Sequence, residues 1–250
     1  ATLSAGFIAA VNSLASACGR AASPRGALGS STTTGVPHTT IVATTSTTAV
    51  TSTTSVGGER RYGPLASTPD ANGLLLPAGF HSRVLAVGGE TVPGTSYRWH
   101  PLADGGACFA LDDGGWVYVN NSEVPIAGQG GASALRFDAR GRVVDAFRVL
   151  EGTTWNCAGG ATPWGTWLSC EEIEFGQVWE CDPLGHAPAR PRPAMGRCRH
   201  EMVSADAARG VVYMTEDEPD GLLYRFRPHS WGDLSAGDLE ALSVSGADGT

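Results

Sequence analysis

Apolar residues in this chain come in short runs with polar ones interleaved. Ser82–Val87, Gly115–Val119, Ala134–Phe137, Val143–Val149 and Gly210–Met214 are rich in Val, Leu and aromatic side chains. Their length and composition predict β-strands. Gly, Pro, Asp and Asn punctuate the runs. Asp138-Ala-Arg-Gly141 and Asp206-Ala-Ala-Arg-Gly210 predict hairpin turns. No stretch before residue 233 carries a 3.6-residue period. Asp233–Leu242 (DLSAGDLEAL) does, which predicts a short helix with Ser235 as a candidate cap.

The runs repeat. Tyr118-Val-Asn-Asn-Ser-Glu123, Trp167-Leu-Ser-Cys-Glu-Glu172 and Tyr213-Met-Thr-Glu-Asp-Glu218 overlay at spacings of 49 and 46 residues. Leu135-Arg-Phe-Asp138, Trp179-Glu-Cys-Asp182 and Tyr224-Arg-Phe-Arg227 follow at 44 and 45. A repeat of this length built from short strands is that of a β-propeller. The expected fold is therefore all-β, an incomplete propeller of about three to four blades. Equivalent strands of successive blades point their ends at one axis, so Glu123, Glu172 and Glu218 are expected to converge. Converging carboxylates repel one another unless cations lie between them.

Composition divides the chain of 250 residues in three. Residues 1–18 are small and apolar and end in Ala-Ser-Ala-Cys, like the core and cleavage zone of an export signal without its basic start. They are too short and mild for a stable membrane span. Residues 19–60 are rich in Ser and Thr and read as a linker. Residues 61–250 carry the propeller pattern, and the missing closing strand leads us to expect a fragment. All 17 basic residues are Arg, and the net charge is −8. That balance argues against nucleic acid or anionic membrane as a partner. The six cysteines contain no CxxC pair, and their spacing leaves any disulfide pairing open.

The densest chemistry lies in Asn156-Cys157-Ala-Gly-Gly160 and Thr162-Pro-Trp-Gly-Thr-Trp-Leu-Ser-Cys-Glu171-Glu172. A thiolate suits iron or zinc, and carboxylates suit calcium. The two glycines would let the backbone approach a bound ion closely. In Arg197-Cys-Arg-His200-Glu201, Glu201 precedes Tyr213 much as Cys157 precedes Trp167. His200 reads as a core histidine. Alternation places Glu216 and Glu218 on one face as candidate ligands and sends Asp217, with Glu171, outward. Arg225 is a candidate for binding an anionic substrate, or a partner for those outward acids. Nucleophile-elbow, P-loop and HExxH motifs are absent.

These segments, with Tyr62-Gly-Pro-Leu65, Pro69-Asp-Ala-Asn-Gly-Leu74, Gly94-Thr-Ser-Tyr-Arg-Trp-His100 and Asn121-Ser-Glu123, resemble the PhoX family of exported alkaline phosphatases. The resemblance covers most of residues 62–228. Cys-Ala-Gly-Gly followed by Thr-Pro-Trp-Gly-Thr and Glu-Glu is its most specific part. It implies an axial iron–calcium cluster in which Cys157 bridges irons and Glu172 and Glu201 are ligands. It also implies twin-arginine export to the periplasm or the cell exterior. Two departures stand out. The chain has Asn-Asn-Ser-Glu123 where the family pattern has Asn-His-Glu, and it contains no Arg-Pro-Glu segment.

The leading expectation is a monomeric, metal-dependent hydrolase of small phosphate monoesters. The metal set is Cys157, Glu172, Glu201, Glu123, Glu216 and Glu218. Two alternatives stay open. One is a noncatalytic propeller that binds a ligand or partner on its face. The other is a calcium-dependent lactonase-type propeller.

Overall fold

The computed structural model describes residues 62–243. The signal-like segment and the Ser/Thr-rich linker lie outside the described residues. Residues 62–82 belong to one compact unit, and a second begins at Arg83. In the first, a bridge joins Leu65 and Pro77, Tyr62 meets Phe80 edge to face, and Asp70 accepts a hydrogen bond from Ser82.

The second unit is all-β. It contains three four-stranded antiparallel meanders. The first blade runs β1 (Ala103–Ala110), β2 (Trp116–Ser122), β3 (Gly131–Phe137) and β4 (Val143–Leu150). The second runs β5 (Asn156–Ala161), β6 (Trp167–Glu171), β7 (Val178–Cys181) and β8 (Arg190–Pro191). The third runs β9 (His200–Asp206), β10 (Val211–Glu216), β11 (Leu223–Ser230) and β12 (Asp233–Ala241). Each strand pairs with its sequence neighbour, which is the pattern of propeller blades. No helix among the described residues is long and apolar enough to cross a membrane.

Alternation along the strands builds the layers between blades. Val117, Val119, Ala132 and Ala134 of the first blade pack on Trp167 and Cys181 of the second. Leu168, Cys170 and Val178 of the second pack on Val212, Met214 and Phe226 of the third. On its other face the first blade is covered by Val92 and Trp99, which meet Leu135, Phe137 and Ala146. Each large side chain fully buried here contributes about 1.5–3 kcal/mol. Leu85 and Ala86 pack against this last layer as coil, so the strand expected at Ser82–Val87 does not form.

Both expected hairpin turns are present. Asp138 caps one through the backbone N–H groups of Arg140 and Arg142, and Asp206 caps the other through those of Ala208 and Arg209. The helix expected over Asp233–Leu242 is instead β12, paired with β11. Its local period loses to tertiary pairing. Leu234 is fully buried between the blades, and Ser235 donates its N–H to the Asp233 carboxylate at the start of the strand.

The innermost strands β1, β5 and β9 lie side by side. Glycines let them approach. A Cβ on Gly160 would sit 2.1 Å from the Val203 carbonyl oxygen of β9, and within the blade one on Gly159 would sit 1.9 Å from the Leu168 carbonyl oxygen of β6. The Gly-Gly pair therefore serves strand packing rather than close approach to an ion. We expect Gly160→Ala to cost about 1–3 kcal/mol, as overpacked sites do, read as a lowered midpoint in urea unfolding.

Candidate metal centre

The site is assembled from one device used three times. Each inner strand begins with a residue that pairs with the end of the next strand: Ala103 with Ser122, Asn156 with Glu171, and His200 with Glu216. A register shift follows immediately in all three blades. The second residue of each inner strand is Asp104, Cys157 or Glu201. The residue after each paired strand end is Glu123, Glu172 or Asp217. The backbone N–H of each of these carboxylates is held by the carbonyl just before the inner strand: Glu123 by Leu102 at 2.8 Å, Glu172 by Trp155 at 2.9 Å, and Asp217 by Arg199 at 3.0 Å. Leu102 and Trp155 take positive φ values of 50° and 51° to present those carbonyls. Such backbone conformations are uncommon for residues with side chains, and they cluster at functional sites.

Six donors thus come from equivalent places in three blades. Asp104, Glu123 and Cys157 bring one ligand atom each to within 4.8 Å of one another. Cys157, Glu172 and Glu201 do the same. Cys157 is common to both groups. Its Sγ lies 3.4 Å from Glu201 Oε1 and 3.6 Å from Asp104 Oδ2. Trp155 donates its indole N–H to Glu123 at 3.1 Å and so orients that carboxylate. Asp217 joins through a side-chain hydrogen bond with Glu172.

The electrostatics are those of closely gathered acids. Burial raises the Glu172 carboxyl well above the usual range, and the hydrogen bond with Asp217 and the charges of Glu201, Asp217 and Glu123 push it further. Burial also raises Glu201, helped by Asp217 and Asp104. The Cys157 thiol is driven far up by burial and then by Glu201 and Asp104. Among the described residues no ion pair joins Asp104, Glu172, Glu201 or Asp217 to an arginine. One sulfur within reach of several carboxylate oxygens is a donor set that fits bound cations.

The other candidates lie elsewhere. Glu216 accepts from the Tyr224 hydroxyl at 2.9 Å and the Leu222 N–H at 3.2 Å. Glu218 pairs with Arg199 at 2.7 Å. Arg225 is engaged by Glu240 on β12, with its Nε 2.6 Å from the carboxylate. Glu171 does not face outward. It is buried and accepts from Thr154 N–H at 3.0 Å and the Trp179 indole at 2.9 Å. His200 is a core residue, its ring 3.2 Å from the Gly196 carbonyl. Five cysteines are free among the described residues: Cys108, Cys157, Cys170, Cys181 and Cys198.

Strand register explains the exchange of Glu218 for Asp217. Tyr118 pairs with Cys108, Trp167 with Ala161 and Val212 with Ala205, each five residues into its inner strand. Val212, not Tyr213, is therefore the third equivalent. The one-residue slip moves the axial carboxylate from Glu218 to Asp217.

The family described as "Alkaline phosphatase PhoX" matches residues 118–174 and 173–247, more than half of the 250 residues. The chain belongs to the PhoX family. The matched region holds Cys157, Glu172, Glu201, Glu123 and Asp217, while Asp104 precedes it. PhoX proteins are metal-dependent phosphatases, and the two donor groups here are places where such a protein could hold metal. No curated protein and no solved structure matches the chain.

Proposed function

We propose that this protein is an exported alkaline phosphatase that hydrolyses small phosphate monoesters with iron and calcium held at the blade ends. The observation that carries the reading is the thiol of Cys157 shared by two carboxylate groups drawn from three blades. Cys157, Glu172 and Glu201 would hold one part of the cluster, and Asp104, Glu123 and Cys157 the other, with Asp217 beside Glu172. Bound cations supply Lewis acidity, neutralising phosphoryl oxygens and acidifying water.

The chain's own residues do the rest. The six donors fix where positive charge gathers, and phosphoryl transfer depends mostly on such positioning and charge compensation. The backbone bonds from Leu102, Trp155 and Arg199 set each carboxylate before any ion arrives. Trp155 limits the rotation of Glu123 through its indole N–H. Burial of Glu172 and Cys157 keeps water from competing for the donors. The mixture of sulfur and oxygen favours this reading over a calcium-only lactonase.

The test is elemental analysis of purified protein, with hydrolysis of p-nitrophenyl phosphate followed before and after chelation. We expect iron and calcium together, and loss of activity on chelation that returns when both metals are restored. Protein that binds neither metal would remove the basis of the proposal. Calcium without iron, with lactone cleavage, would transfer it to the lactonase class.

A further inference from the structure

We propose that Asn121 is a positioning residue for Cys157, acting through the backbone of the strand that carries the thiol. This inference rests on the metal-centre reading above. The register of β5 against β6 shifts between Asn156 and Gly159, so the Cys157 and Ala158 peptides fall in the gap of the ladder. Asn121, on β2 of the preceding blade, fills that gap with its side chain. Its Nδ2 donates to the Cys157 carbonyl at 3.0 Å and to the Ala158 carbonyl at 2.8 Å. Its Oδ1 accepts from the Trp167 indole and the Ser169 hydroxyl, both at 2.9 Å. Every hydrogen-bonding position of one amide is used, all of them by the second blade.

Packing alone does not call for an amide at this place. Asn121 is completely buried, in a strand whose inward neighbours on the same face are Val117 and Val119. At the next seam the register-equivalent residue is Cys170, which packs among Leu168, Val178 and Met214. A buried amide costs stability unless it is fully bonded. Here it is fully bonded, and it grips the carbonyl of the thiol-bearing residue and the one after it. Asn120, on the opposite face of β2, treats the first blade alike, donating to the Asp104 carbonyl at 2.6 Å and the Gly105 carbonyl at 3.3 Å. The tandem asparagines of Asn-Asn-Ser-Glu123 therefore brace both inner strands whose donors share a group with Glu123.

The experiment is cobalt(II) titration of the full chain, following the thiolate-to-cobalt charge-transfer absorption that Cys157→Ser abolishes. Thermal melts of the same samples report folding. Asn121→Ala is expected to weaken cobalt binding read at that band by about tenfold or more, as losing a partner that orients a ligand does. Trp167→Phe removes one bond from the Oδ1 side of the same amide and leaves both Cys157 and Ala158 contacts. It is expected to lower the melting temperature and keep the band's affinity within about twofold, below the effect of losing a ligand-orienting partner. Asn121→Thr, which keeps most of the volume and can reach one carbonyl at best, is expected to fall between. An unchanged band in Asn121→Ala overturns the assignment. So does failure of both Asn121 variants to fold while Trp167→Phe folds, since Asn121 would then be a folding residue. Absence of the band from the unmodified protein overturns the metal-centre reading itself, which separates the two failures.

Discussion

Cys157→Ser is expected to strip iron from the protein and to lower phosphomonoester hydrolysis by more than about a hundredfold, since losing a mere outer-shell partner of a metal already costs 10–100-fold. The size of the effect follows from position. Sγ is the one atom common to both donor groups, 3.4 Å from Glu201 and 3.6 Å from Asp104. Serine offers a shorter side chain and a hard, scarcely ionised oxygen, so both groups lose their meeting point. The packing loss is small because Cys157 sits at the open end of its strand rather than in a blade-to-blade layer. Metal content by elemental analysis and hydrolysis of p-nitrophenyl phosphate check the prediction. A variant that keeps both would show that Cys157 is only a small buried residue.

Glu172→Gln is expected to act with opposite signs on binding and on stability. It removes a donor, so cation affinity falls by more than about tenfold. It also removes a buried carboxyl that must either hold a proton or ionise beside Glu201, Asp217 and Glu123, so the chelated protein becomes more stable. The pH dependence has a definite direction. A carboxyl ordinarily titrates at about 4.3 in an unfolded chain, and in the chelated fold Glu172 titrates well above that. Between those values the folded state keeps a proton that the unfolded state has released. Stability from this group is whole below the unfolded value and is lost as pH rises through the folded one. Glu201 is shifted the same way. His100 and His200 are buried neutral and work in the contrary sense, but only below their ordinary pKa of about 6.5. Above that pH the acids dominate. Chelated protein should therefore melt at progressively lower temperature as pH rises through the neutral and weakly alkaline range. Metal-loaded protein should not, because the cations hold the carboxylates charged. Glu172→Gln should flatten the slope of the chelated form. A slope identical in the variant and the parent would count against the placement of Glu172 among like charges.

Much of the architecture could be read from residue order. The aromatic-led segments ending in Glu123 and Glu172 mark the second strands of two blades, and Cys157 and Glu201 do occupy equivalent inner-strand positions. What escaped depended on register. Overlaying Tyr213 on Trp167 turns Glu218 inward and Asp217 outward, yet the ladder aligns Val212 with Trp167, which brings Asp217 to the position of Glu123 and Glu172. Asp104 was missed because the start of its strand, Ala-Asp-Gly-Gly-Ala, carries no aromatic or sulfur to overlay on the Cys157 block, the strand's Phe109 lying five residues further on. The signal was nonetheless present, since Asp104-Gly105-Gly106 parallels Cys157-Ala158-Gly159 once the blades are superposed. Leu234 and Leu239 mimicked a helical stripe, but a strand alongside β11 buries Leu234 more fully than an isolated helical turn could.

The placement of donors along seams has a consequence for how the molecule matures. No blade owns a complete coordination sphere. The first contributes Asp104 and Glu123, the second Cys157 and Glu172, and the third Glu201 and Asp217. A nascent chain with one blade formed can offer only a pair of acids, which hold an ion weakly. On the proposed function, high-affinity capture would wait until three neighbours have docked in order, and the captured ions would then rivet them together. Loading would then be a checkpoint on assembly, granted only to molecules whose three blades have already docked.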